Sequence, residues 1–472
     1  MSAAHRKGPA NGPPLFAKLI AGLMVAVGAG LLVLPPPNGI EPNALRALGL
    51  VFIAVAFWAT EVLPPHVTSF LFFLLAVVLH VAEPVVVFSG FHAGAVWLIF
   101  GGIVLGVAVQ RTGLGIRMAE AVLQRTGHSY RRVLLGVALA AFGLAFVMPS
   151  AMSRVVLLVP IVVALADRMG YEPGSSGRDG MILAAAFSTV MSPMGLLPAT
   201  VPNVVMSGLI ESIYGVTLRY GEFFLLNMPV AGFLSFLSIL LLVMVMFRSE
   251  APRAFDPESH TAMSKDERRL TVLLILTLAL WATDTLHGIA PAWVAFGAAV
   301  ICLLPITSLV PPKALSESVN YAPWFFTAGI IGLGAVVADS GLAKTLGALF
   351  IDVSGLSANS DAYNFGAILG MGSLMSLAAN PAGAAAVLTP LAPDIAAATG
   401  WPLKTAMLSQ VTSFMVILLP YQVAPVLTAM LLGQVNFGRT VRMCLAYTAI
   451  YVVVITPLNF LWWRWLGMFG SG

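Results

Sequence analysis

One stretch of the chain sets a charge among apolar residues: MPSAMSRVVLLVPIV, residues 148–162. It places Arg154 beside Ser150 and Ser153, with Pro149 ahead of them. That combination suits an anion, because the guanidinium supplies charge and the loosened backbone opens a helix whose N-terminal end is itself positive. The plainer reading of Arg154 is a structural ion-pair partner, or an arginine that snorkels to an interface. A charge deep in hydrocarbon costs at least about 2.5 kcal/mol, so it needs a partner or a wet cavity. For the serines the plainer reading is helix capping. A second stretch, LAANPAGAAAVLTPL (377–391), matches the first when Pro160 is aligned with Pro390, and Asn380 then stands opposite Ser150.

Two further interruptions follow: MSPMGLLPATVPN (191–203) and LLPYQVAP (418–425). Proline within a helix frees a carbonyl, and freed carbonyls suit a small cation. Thr200, Asn203, Tyr421 and Gln422 lie in these segments; polar interhelical bonds are their alternative role. Glu61 and Asp284 close apolar runs at equivalent places, which predicts a shared architectural role and none in transport. Asp339, at a helix end, reads as solvated.

The elements that must position these residues are set by composition. At 472 residues, 59% hydrophobic and 9% charged, against roughly 25% charged in soluble domains, the chain is an all-α polytopic membrane protein. The net charge of +4 calls for no nucleic acid, since basic residues sit between apolar runs. Cys302 and Cys444 lie within such runs and form no disulfide framework or metal site. His5, Arg6, Lys7 and Lys18 precede a run that lacks a small-residue cleavage site, so the first helix is read as retained. Glycine-rich pieces such as GGIVLG (101–106) fit close helix packing better than a phosphate loop.

Apolar segments fall near 19–34, 45–60, 67–81, 95–109, 181–214, 223–247, 270–286, 292–306, 323–338, 403–435 and 443–463. These predict about 11 transmembrane helices. Between them lie two re-entrant hairpins, about 133–166 and 362–398, because the apolar runs flanking Ser150 are each shorter than the roughly 20 residues a crossing needs. Backbone broken at that depth must be buried in protein or line a cavity. Arg111, Arg117, Arg125, Arg131, Arg132, Arg168, Arg178, Arg439, Arg442 and the 248–269 loop share one side if the N-terminus is cytoplasmic and both hairpins re-enter. The expected organisation is an arm and first helix (1–44), a first repeat (45–247), a cytoplasmic loop (248–269) and a second repeat (270–472). FWATE (57–61) is echoed by LWATD (280–284), and 95–115 by 321–343. The copies run in opposite directions. Matched interruptions in inverted halves point to a secondary transporter's binding site.

At these residues the chain resembles the divalent anion:sodium symporter family, which includes dicarboxylate and citrate carriers and dicarboxylate exchangers. Pro149, Ser150 and Arg154 keep the pattern of the exchanger branch's first tip, Pro-Ser-Asn-Thr-Ala-Arg, and Pro160 closes the following helix as in the family. ATVPN (199–203) is similar to its Gly-Thr-Pro-Pro-Asn, and PYQVAP (420–425) to its Tyr-Gly-Thr-Gly-Pro. Ala151 and Met152 replace the Asn and Thr of one tip; Asn380, Pro381 and Ala382 stand where the other reads Ser-Asn-Thr. The resemblance implies substrate contacts at Ser150, Met152, Ser153, Arg154, Thr200, Pro202, Asn203, Asn380, Pro381, Ala382, Tyr421, Gln422 and Pro425. It implies sodium (Na+) near Ser150, Ala151, Ala199, Asn380 and Ala424. It also implies a homodimer with an elevator movement.

The sequence thus predicts a secondary transporter of a small anion in the bacterial inner membrane, sodium-coupled, with sodium-independent exchange of anions as the alternative. A cation/proton antiporter would place an acidic residue at a tip, and a membrane enzyme would cluster acid, base or metal ligands. Neither pattern stands out in the sequence.

Overall fold

The computed structural model describes residues 15–37, 41–60, 62–123, 129–249 and 262–470. Glu61, Arg125, His5, Arg6, Lys7 and most of the 248–269 loop lie outside these. Every regular element among the described residues is helical, as an apolar chain in lipid requires, because a helix pairs its own N–H and C=O groups. Proline stands in the first turn of the helices Pro42–Thr60, Pro65–Val78 and Pro291–Leu303, where its missing N–H costs nothing. Gly215 and Gly400, with φ of 67° and 74°, end two others in the left-handed conformation.

Seven stretches among the described residues are long and apolar enough to cross a membrane, and four shorter apolar helices accompany them. Seven is fewer than the 11 segments read from the sequence, several of which are broken by prolines into pieces shorter than a crossing. The seven also include stretches that turn back. Tyr130 opens the helix Tyr130–Val147, and Tyr171 follows the helix Ala151–Arg168. Their rings meet edge to face with centroids 5.6 Å apart, and the Tyr130 hydroxyl donates to the Gly177 carbonyl at 3.0 Å. The two arms therefore begin and end at the same level of the bundle, with the tip at 148–150 between them. In the second half the Trp401 indole donates to Asp361 at 2.7 Å. That contact joins the start of the helix Asp361–Leu388 to the residue just past the helix Ala392–Thr399.

Pro160 corrects one expectation. It does not close the helix after the first tip but lies inside Ala151–Arg168, on the exposed face. There the lost hydrogen bond is the outer one, which a helix can open by bending. Its counterpart Pro390 does mark a change, sitting in a tight turn, Thr389–Leu391.

The two halves share a latch. The Trp58 indole donates to the Pro65 carbonyl at 3.0 Å, and the Trp281 indole to the Pro291 carbonyl at 3.0 Å. Beside them Thr60 and Thr283 each donate to the carbonyl four residues back. Each tryptophan thus ties the end of one long helix to the proline that opens the next long one. Asp284 is fully buried; its carboxylate accepts the Tyr220 N–H and its carbonyl accepts from Arg219 at 2.9 Å. It fixes the turn before Tyr220–Asn227.

Two sets of contacts stand out. In one, Gly94–Thr112 lies against Pro291–Leu303, and Pro65–Val78 against Ala322–Asp339. Gly101 makes the first contact possible, since a Cβ there would lie 2.7 Å from the Ala295 backbone. In the other, both hairpins pack against the broken helices. Ala151–Arg168 lies against Ser176–Val190 and Ala424–Gly433, and the second hairpin against Val201–Tyr214 and Gln410–Met415.

Candidate functional site

The first tip forms where Met148 and Ser150 turn extended on either side of Pro149. The Ser150 hydroxyl caps the next helix by accepting the Ser153 N–H at 3.2 Å. Arg154, one turn in, is wholly buried. Its guanidinium donates to the carbonyl of Met148, to that of Thr189 at 2.8 Å and to that of Ala199 at 3.1 Å. These carbonyls come from the end of the first arm, the last turn of Ser176–Val190 and the unwound stretch beyond it. Helix ends leave such carbonyls without partners and carry partial negative charge, so one cation satisfies three of them. Among the described residues no carboxylate pairs with Arg154, and its Nε has no partner. The charge is solvated by dipoles but not neutralised.

The prolines of 191–203 break the helix into two tight turns, Ser192–Gly195 and Leu197–Ala199, with Leu196 and Thr200 extended. Asn203 spans the break by donating to the carbonyls of Met194 at 2.8 Å and Leu196 at 3.1 Å. The Thr200 hydroxyl meets the Met194 sulfur at 3.3 Å. Among the described residues, no side chain or backbone group pairs with the buried hydroxyls of Ser188, Thr189 and Ser192 or with the Asn203 Oδ1.

In the second half Gln422 plays Asn203's part, accepting from the N–H groups of Leu418 at 2.7 Å and Leu419 at 2.8 Å. The tip is a break at Ala379 and Asn380. Asn380 has a φ of 59°, which asparagine tolerates, and its Oδ1 accepts the N–H groups of Ala382 and Gly383, both at 3.1 Å. Four residues beyond Asn380, where the first tip has Arg154, stands the buried Ala384. Exposed Tyr421 reaches the Leu377 carbonyl at 3.5 Å.

A cleft of about 50 Å³ opens at the first tip. Leu98, Ile99, Gly102 and Ile103 of Gly94–Thr112 form one wall. Pro149 and Ser150 of the tip face them, with Pro198, Thr200, Val201 and Val204 alongside and Pro323 at the edge. Of the residues read from the sequence, Ser150 and Thr200 therefore share a cavity. Arg154 lies one residue behind its wall, since Met148 and Ala199, whose carbonyls it holds, adjoin Pro149 and Thr200. Ser153 faces Gly106, and Pro202 sits in the first turn of Val201–Tyr214. Met152 points outward, 36% exposed. Asn380, Pro381, Ala382, Gln422 and Pro425 do not line this cleft. Of the oxygens assigned to sodium, the Ala199 carbonyl is taken by Arg154 and the Ser150 hydroxyl caps a helix. The glycine wall was missed as part of the site. Its signal was the GGIVLG run, read there as helix packing.

This combination, two doubled-back segments and two unwound helices with a buried charge behind the first tip, is that of a helical membrane transporter. The chain belongs to the sodium:sulfate symporter family, whose transmembrane region matches residues 15–469. Among its relatives, a membrane protein of Cupriavidus necator is 24% identical over 94% of this chain and 93% of its own length. The sodium-dependent dicarboxylate transporter SdcS of Staphylococcus saprophyticus is 24% identical over 69% of this chain and 68% of its own. Two solved structures share the fold. The YdaH transporter of Alcanivorax borkumensis has a TM-score of 0.52 at 15% identity, covering 97% of this chain and 99% of that one. MtrF of Neisseria gonorrhoeae, described as illuminating a class of antimetabolite efflux pumps, has a TM-score of 0.53 at 13% identity, covering 95% and 94%.

Proposed function

We propose that the protein carries a small anion across the bacterial inner membrane by alternating access, with its N-terminus in the cytoplasm. The observation that carries this reading is Arg154, a buried and unneutralised charge held on three carbonyls beside the cleft. A charge so placed is costly, and an anion in the cleft offsets it. The substrate residues are Ser150 and Thr200, with Arg154 acting through the wall. Asn380, Pro381, Ala382, Tyr421, Gln422 and Pro425 stand outside this cleft and are not assigned to the substrate. The elevator movement draws support from Gly102 and Gly106, which present a bare helix face to Pro149 and Ser153. A homodimer whose fixed part is the glycine-bearing block completes the reading.

For coupling, family membership supports sodium as the driving ion. The geometry supports a second mode, sodium-independent exchange. Arg154 donates to carbonyls of the first tip and the first unwound stretch, which leaves fewer free lone pairs for a sodium ion there. The unpartnered Ser192 hydroxyl and Asn203 Oδ1 are what remains for an ion there. Proteoliposomes loaded with one anion and presented with another, with and without a sodium gradient, separate the modes. Uptake that needs internal anion and ignores sodium establishes exchange; uptake into empty vesicles driven by sodium establishes symport.

A further inference from the structure

We infer that the substrate is a singly charged anion with an apolar body, of the type of an alkanesulfonate or a short monocarboxylate. This deepens the proposed function and rests on it. Three observations lead there. The cleft offers only two polar side chains, Ser150 and Thr200; the rest of its lining is aliphatic, proline or glycine. Behind it stands one cation. Among the described residues the only other buried cationic side chain is Arg178, which pairs with Asp167 beyond the far end of the first hairpin. In the sodium-independent mode, a monoanion beside Arg154 leaves no net charge, whereas a dianion leaves one negative charge uncompensated among apolar atoms, which is strongly disfavoured.

The second observation concerns donors. A second carboxylate or a sulfate needs hydrogen bonds for its additional oxygens, and a buried acceptor without them is penalised. At the tip Ala151 and Met152 supply only backbone N–H groups, and Met152 is 36% exposed. Leu98, Ile99, Ile103 and Val204 supply only surface for a hydrocarbon group. Size is the third. A cleft of about 50 Å³ is far below the roughly 300–1,000 Å³ of sites for drug-sized ligands, so the occupant has few heavy atoms.

Ethanesulfonate is the probe of choice, because it stays ionised and does not leak through lipid as a neutral acid. Full-length protein in proteoliposomes is assayed for uptake of labelled ethanesulfonate, succinate and sulfate under both coupling conditions above. Saturable ethanesulfonate uptake with a kcat/KM at least tenfold above that for succinate or sulfate is the expected result. Succinate uptake should also rise severalfold as pH is lowered through its second ionisation, where it becomes a monoanion. Ile103→Lys adds a second cation to the cleft wall and should narrow or reverse the preference; the pH series stands in its place if that variant does not fold. Faster transport of succinate or sulfate at neutral pH, with ethanesulfonate inert, overturns this inference and leaves the transporter reading intact. Folded protein that moves none of the three overturns both.

Discussion

The guanidinium of Arg154 donates to the main-chain carbonyl of Ala199 at 3.1 Å, across 45 residues of sequence. The bond ties the helix after the first tip to the unwound segment, and the same side chain holds Met148 and Thr189. Replacing Arg154 by Ala leaves three buried carbonyls without a donor. At about 1–3 kcal/mol for each unsatisfied group, the variant should lose at least about 3 kcal/mol, seen as a lower melting temperature in detergent, and should lose transport. Arg154→Lys keeps the charge but not the planar fork; it should recover part of the uptake and less of the stability. Full uptake by the Ala variant would remove the charge from the mechanism.

Gly102 and Gly106 lie one turn apart on the helix facing the tip. A Cβ on Gly102 would come 3.0 Å from the Pro149 Cβ, whereas one on Gly106 would have 3.8 Å to the nearest atom, the Ser153 hydroxyl oxygen. Gly102→Ala should therefore slow uptake about tenfold, while Gly106→Ala should stay within about twofold of the parent. Equal rates in the two variants would show that the tip does not pass close to this face.

Trp58 and Trp281 hold equivalent turns by equivalent bonds. Changing either to Phe keeps most of the packing and removes the indole donor, so each should cost about 1–3 kcal/mol. Uptake per folded molecule should be unchanged in both. A melting-temperature comparison normalised to folded protein checks this, and a large difference between the two variants would argue against an equivalent role.

At the start of Lys265–Ala282, before the apolar run, Glu267 accepts from Arg117 at 2.7 and 3.2 Å and closes a capping box with Ser264. The hydrogen bond from Arg117 and that from the Ser264 backbone hold its carboxyl below the usual carboxylate range. A depressed folded value means that the stabilisation is fully present above the ordinary carboxylate pKa and disappears as pH falls through the folded value. The melting temperature should fall on acidification below about pH 4.5. Glu267→Gln should lower it at neutral pH by the equivalent of about 1–2 kcal/mol and blunt its acid dependence. A variant with the parent's profile would assign the acid effect to other groups.

Much of this arrangement was legible in the sequence, and the reasons are particular. Prolines and polar residues interrupting apolar runs marked 148–154, 191–203, 377–391 and 418–425, because lipid tolerates no other backbone break. The two WAT motifs marked the matched turns, since an indole and a proline carbonyl at fixed spacing make the same latch twice. Pro160 misled because a proline's effect depends on the face it occupies, which spacing does not give. The carbonyl partners of Arg154 were not legible. Backbone acceptors carry no side-chain signature, and Thr189 and Ala199 reach the arginine only through the packing of a helix end and the path of the unwound segment after it. The glycine wall of the cleft looked the same as any packing glycine until Pro149 was seen against it.

Ala384 gives the molecule a polarity. A carrier assembled from two antiparallel near-copies would rest indifferently facing either compartment if both carried the same side chains at their tips. Under the alternating access proposed above, a cation on one copy and a methyl group on the other make the two unloaded orientations differ in energy. On that reading, the copy that bears the arginine biases the compartment the empty protein faces.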